Sequence, residues 1–106
     1  MIKFLYLNGY APIVVCDICQ EKIVNAQLGV AIHTKAEKLE KGDMVEVLHL
    51  HKGQCHDLAE QKFAKKVNIG WQELMTHLIY LCQNTNIGID DMKKQSEIDE
   101  IKGKFF

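Results

Sequence analysis

Residues 2–7 and 12–16 are two short runs of apolar, β-branched and aromatic side chains, with Asn8-Gly9 between them. Such runs predict two strands. Asn-Gly at the junction predicts a hairpin closed by a type I′ turn, in which both central residues take positive φ. Pro12, the single proline, falls at the start of the second run, where a missing N–H is tolerated. That run leads directly into Cys16, and residues 17–22 read as a turn. Residues 28–34 predict a third strand. Residues 35–43 are polar and end in Gly42-Asp43, the composition of a loop or hairpin tip. Residues 44–50 alternate, with Met44, Glu46, Leu48 and Leu50 on one face and Val45, Val47 and His49 on the other. That period predicts a strand, although Glu46 interrupts its apolar face.

The period then changes. From about Gly53, Leu58, Ala59, Phe63 and Val67 recur at helical spacing, with Lys62, Lys65 and Lys66 elsewhere on the cylinder. Asn68-Ile69-Gly70 predicts a break, with Gly70 as the stop. Over residues 71–83, Trp71, Leu74, Met75, Leu78, Ile79 and Cys82 fit an amphipathic helix. Asn84-Thr85-Asn86 ends it, and Asp90 is placed to cap a third, mostly charged helix over about 91–102. Gly103-Lys104-Phe105-Phe106 reads as a frayed tail.

Four residues on this framework carry chemistry. Cys16 and Cys19 form Cys-x-x-Cys, and His51 and Cys55 form His-x-x-x-Cys downstream. Three thiolates and one imidazole complete a tetrahedral shell for one Zn²⁺. A tight turn brings the first two sulfurs together and aims backbone N–H groups at them. His51 ends a strand and Cys55 opens a helix, whose positive N-terminal end favours a thiolate. Lys52 is placed to offset the surplus negative charge. His51 is the expected fourth ligand because three residues separate it from Cys55; His49 lies two positions away on the same strand face and is the alternative. His33 and His77 read as ordinary half-buried histidines. A thioredoxin-like dithiol at Cys16–Cys19 would need a βαβ setting, whereas the flanks predict strand and hairpin. A filled shell leaves no place for substrate, so the expected role of the ion is structural, one per chain.

Cys16-Asp17-Ile18-Cys19, a β-hairpin, and His51-Lys52-Gly53-Gln54-Cys55 entering a helix resemble a treble-clef zinc finger. The His-Lys-Gly-x-Cys segment also resembles small bacterial zinc-finger-like proteins with a helical C-terminal half. The resemblance spans about residues 12–67. It implies a zinc knuckle, a hairpin and a helix that supplies the last ligand, with a long hairpin loop around residues 35–43. It does not imply a particular activity, because treble clefs serve many.

The expected class is therefore α+β: β-hairpins with a treble-clef-like zinc knuckle, then a helical C-terminal half. At 106 residues this is one domain. Its zinc-binding part is residues 1–67 and its helical extension residues 68–106. Formal net charge is −1 and arginine is absent, so nucleic-acid binding is possible but not favoured. No phosphate loop or supported catalytic base points to an enzyme. The apolar start ends at Asn8-Gly9, too early for a signal peptide, and no run is long enough to span a bilayer. A cytoplasmic protein in a reducing compartment is expected. Its function would be protein interaction, with another protein or a second copy, through the stripe on residues 71–83.

Overall fold

The computed structural model describes residues 1–35, 40–63 and 68–101. Lys65, Lys66 and Val67, the centre of the predicted 35–43 loop and the tail beyond 101 lie outside the described residues. The class is α+β, with two small antiparallel sheets and three helices.

Strands β1 (Ile2–Tyr6) and β2 (Tyr10–Val14) form the first sheet, in a register that pairs Ile2 with Val14 and Tyr6 with Tyr10. The connection is Leu7-Asn8-Gly9, one residue longer than expected, and neither Asn8 nor Gly9 takes positive φ. The predicted type I′ turn is therefore not formed. Pro12 lies mid-strand opposite Phe4, where it can face its missing N–H away from β1. Val15 continues the chain through a bridge to Lys22, and Cys16 follows it.

The second sheet has the order β4-β3-β5. A 3₁₀ turn at Ala26–Leu28, capped by the Asn25 side chain on the Gln27 N–H at 2.9 Å, leads into β3 (Gly29–Lys35). β4 (Val47–His51) is shorter than the alternating run; Met44–Glu46 fall outside it, where Glu46 breaks the apolar face. Gly53 has a φ of 86°, a left-handed conformation that suits glycine, and it joins β4 to α1 (Gln54–Phe63).

The largest departure from expectation comes next. Residues 68–73 are not a helix break followed by a helix. They form β5 (Asn68–Glu73), paired antiparallel with the free edge of β3, and α2 (Leu74–Asn84) begins only afterwards. Trp71 is thus a strand residue. Gly70 is not a helix stop but a clearance: it pairs with His33, and a Cβ there would lie 2.5 Å from the His33 ring. α3 (Ile89–Ile101) starts earlier than expected, so Asp90 sits within its first turn, and the Asp91 carboxylate accepts the Gly88 N–H at 3.2 Å.

The core lies where the knuckle meets the second sheet. Cys16, Ile23, Val30, Ile32, Leu50, Ala59 and Leu74 are buried together. Ala59 contributes from α1 and Leu74 from the start of α2, against Gly29, where a Cβ would come 2.5 Å from Leu74 Cδ2. Among the described residues few side chains are fully enclosed, Leu50, Leu74, Val30 and Cys16 being the largest, so apolar burial there contributes modestly to stability. The described α3 side chains are exposed, and so are all five residues of β1. Among the described residues, no helix is long and apolar enough to cross a membrane.

Candidate metal centre

The turn after β2 builds the first half of the site. The Cys16 N–H donates to the Glu21 carbonyl at 2.9 Å and the Gln20 N–H to the Cys16 carbonyl at 3.0 Å. Closing so tight a loop puts Gln20 at a φ of 64°, left-handed for a residue that has a Cβ. Asp17 then ties the turn to β4. Its N–H donates to the His49 carbonyl at 2.8 Å, and its Oδ2 accepts the His49 N–H at 2.8 Å. This backbone-to-side-chain clamp brings the Cys-x-x-Cys turn beside the end of β4, where His51 sits. Gly53 turns the chain so that Cys55 falls in the first turn of α1.

The ligand atoms of Cys16, Cys19, His51 and Cys55 all lie within 4.8 Å of one another. Cys16 is buried, His51 and Cys55 are half-buried, and Cys19 is exposed at the rim. All four candidate ligands therefore meet at one point. His49 does not join them. Its ring is buried against His77, with centroids 5.4 Å apart.

The His51 ring is oriented for this role. Nε2 lies 3.2 Å from the Lys22 carbonyl, to which it donates a proton. That places the lone pair on Nδ1, which faces Cys19 Sγ at 3.3 Å. A metal-ligating histidine characteristically gives its other ring N–H to a carbonyl or carboxylate, which fixes tautomer and orientation. The Lys22 carbonyl and the Asp17 clamp were not found from sequence; the only signal is an acidic residue inside a Cys-x-x-Cys turn.

The electrostatics match the donor set. Burial pushes the Cys16 thiol up, but the N–H groups of Cys19, His51 and Ile18 and the His51 side chain outweigh it and bring the thiol down to about 6. Cys55 moves the other way, to about 11, through burial and then through hydrogen bonding with, and the charge of, Cys16 and Cys19. The expected benefit of the helix N-terminus at Cys55 is thus outweighed by crowding among thiols. Three thiolates this close repel one another, and a bound divalent ion would remove the conflict. Lys52 does not offset the cluster as expected. Its ammonium pairs with Glu73 at 2.5 Å, an exposed pair contributing at most about 1 kcal/mol.

These residues fit a tetrahedral metal of intermediate softness. Comparison with protein-family models, with curated proteins and with solved structures finds no match to the chain. The functional reading therefore rests on the geometry of the site and the surfaces around it.

Proposed function

We propose that this chain is a small structural-zinc protein that works as a protein-interaction module. The observation that carries the reading is the meeting of Cys16, Cys19, His51 and Cys55 within 4.8 Å. Sulfur-rich donors with one imidazole favour Zn²⁺ over Mg²⁺ or Ca²⁺, which prefer oxygen. Zinc held there would cross-link the knuckle, the end of β4 and the start of α1. Four protein donors leave the ion no position for substrate, which supports a structural and not a catalytic role. The small core is consistent with that role, because the ion would supply folding free energy that apolar burial does not.

The interaction half of the reading draws on apolar surface that is exposed among the described residues. Met75, Ile79, Tyr80 and Leu81 on α2 are exposed, and so is Trp71 on β5. A net charge of −1 without arginine favours protein over nucleic acid as the partner.

Elemental analysis of the purified chain tests the metal half. About one zinc per chain is expected for a single Cys₃His shell, falling to background in Cys55→Ser. Protein that binds no zinc even when refolded with it would remove the basis of the reading.

A further inference from the structure

In the β1–β2 hairpin every residue of β1 is exposed, while β2 meets the core through half-buried Val14. Phe4, Tyr6 and Tyr10 are 71%, 67% and 72% exposed, and their rings cluster on one face, with Tyr6 and Tyr10 centroids 5.1 Å apart. A two-stranded sheet is marginal in water without a third strand or a covering layer. Here Lys3 is the single charged side chain in the hairpin, so little charge guards it against pairing.

Its two edges are not equivalent. The Val15 N–H donates to the Met1 carbonyl and the Leu7 N–H to the Gly9 carbonyl. Antiparallel pairing alternates, so the backbone groups of Ile2, Phe4 and Tyr6, like those of Tyr10, Pro12 and Val14, point outward. On β2 that outer edge is compromised. Pro12 has no N–H, and the Val14 carbonyl already accepts the Ile23 N–H at 2.8 Å. On β1 the outer edge is a complete row of donors and acceptors, and nothing among the described residues pairs with it.

We infer that β1 is a self-association edge, on which a second copy of this chain adds its own β1 antiparallel about a two-fold axis through Phe4. This rests on the interaction-module reading above, adds to it a surface separate from the α2 and Trp71 patch, and names a second copy as the partner there. The geometry favours a second copy because the edge is self-complementary. In this register Phe4 meets the second copy's Phe4, and Ile2 meets its Tyr6, so every outward N–H finds an outward carbonyl. Lys3 then lies beside Leu5 of the second copy, so like charges are not opposed. The product is a four-stranded sheet in the order β2-β1-β1-β2, with both aromatic clusters on one continuous face. Three aromatic side chains of about 150–250 Å² each, roughly two-thirds exposed, offer about 300–500 Å² per copy. Edge pairing covers the seam-facing part of that area, less than half of the roughly 800 Å² each partner contributes to a standard interface, so a dimer that dissociates on dilution is expected.

The test uses the zinc-loaded full chain in sedimentation equilibrium, with zinc measured in the same samples. The expected result is a dimer that dissociates on dilution. Phe4→Lys should weaken it by about tenfold or more while zinc content and circular dichroism stay as in the wild type. In a Cys82→Ser background, mild oxidation should cross-link Phe4→Cys, whose Cα atoms would stand about 5.5 Å apart across the axis. Lys3→Cys should not cross-link, because its copies would be more than about 7 Å apart. A zinc-loaded chain that stays monomeric at high concentration overturns the inference but leaves the metal reading intact. So does a dimer unaffected by Phe4→Lys, or a monomer that instead floats with lipid vesicles. A chain without zinc would contradict the metal reading, whatever its oligomeric state.

Discussion

The β1–β2 hairpin and the β4-β3-β5 sheet are built from similar residues and have opposite environments. Both are short antiparallel strands in which Ile, Leu and Val recur. In the second sheet Val30, Ile32 and Leu50 are buried, while every residue of β1 is exposed. Strand composition therefore does not decide which apolar runs become core. What decides is convergence on the Cys₃His point. The knuckle, the end of β4 and the first turn of α1 all meet there, and the core lies immediately behind it. The hairpin meets the core through Val14 of β2, and among the described residues nothing covers β1.

The largest effect that should separate the two regions is loss of the metal. Chelation, or Cys55→Ser, is expected to unfold the sheet and α1, because structural zinc contributes on the order of 10 kcal/mol in small domains. Far-ultraviolet circular dichroism and limited proteolysis read this. Native melting behaviour without metal would show that the body holds itself together and that the contrast has another origin.

Core truncation comes next. Leu50 is fully buried, so Leu50→Ala should cost about 2–5 kcal/mol in the zinc-loaded protein. Leu7 lies at the hairpin tip, and Leu7→Ala should stay within about 0.5 kcal/mol when melting is measured on dilute, monomeric protein. Equal losses at the two positions would mean that the hairpin folds against the body in solution.

Much of the body was legible in the sequence, and the reasons differ by element. Cys16, Cys19, His51 and Cys55 were legible because metal coordination constrains residue type and spacing together. β3 was legible as a short, mostly apolar run, and most of β4 from period-two alternation. β5 was not. Asn68-Ile69-Gly70-Trp71-Gln72-Glu73 is a poor strand sequence, and Trp71 happens to stand three residues before Leu74, as a helix would have it. Pairing with the free edge of β3 overrode local preference, and the clearance of the His33 ring over Gly70 is visible only in three dimensions. Strand parity could not separate His49 from His51, since both share a face. Position along β4 does: His51 reaches the knuckle sulfurs, whereas His49 packs on His77.

That last difference has a consequence in acid. Burial, followed by nearby positive charge at the N-terminus and His77, lowers His49 from its ordinary value to about 4. Protonation therefore favours the unfolded chain. The contribution of His49 to stability is complete above about pH 6.5 and is lost as pH falls through about 4. Its ring resonances should not titrate between pH 7 and 5 while the fold persists. A midpoint near 6.5 would place His49 in solvent and remove it from the interior.

The smallest effect concerns the knuckle itself. Gln20 holds a left-handed conformation at a φ of 64°. Gln20→Gly should relieve up to about 1 kcal/mol of that cost and raise the melting temperature slightly. A destabilised Gln20→Gly protein would mean that its side-chain bond to the Asp17 carbonyl outweighs the backbone cost.

The most direct measurement is X-ray absorption at the zinc edge of the purified protein. A Cys₃His centre requires three sulfur scatterers at about 2.3 Å and one nitrogen at about 2.0–2.1 Å around each ion. In Cys55→Ser this shell should be lost. An oxygen-dominated shell, or a sulfur and nitrogen shell unchanged in Cys55→Ser, would contradict a zinc centre formed by Cys16, Cys19, His51 and Cys55.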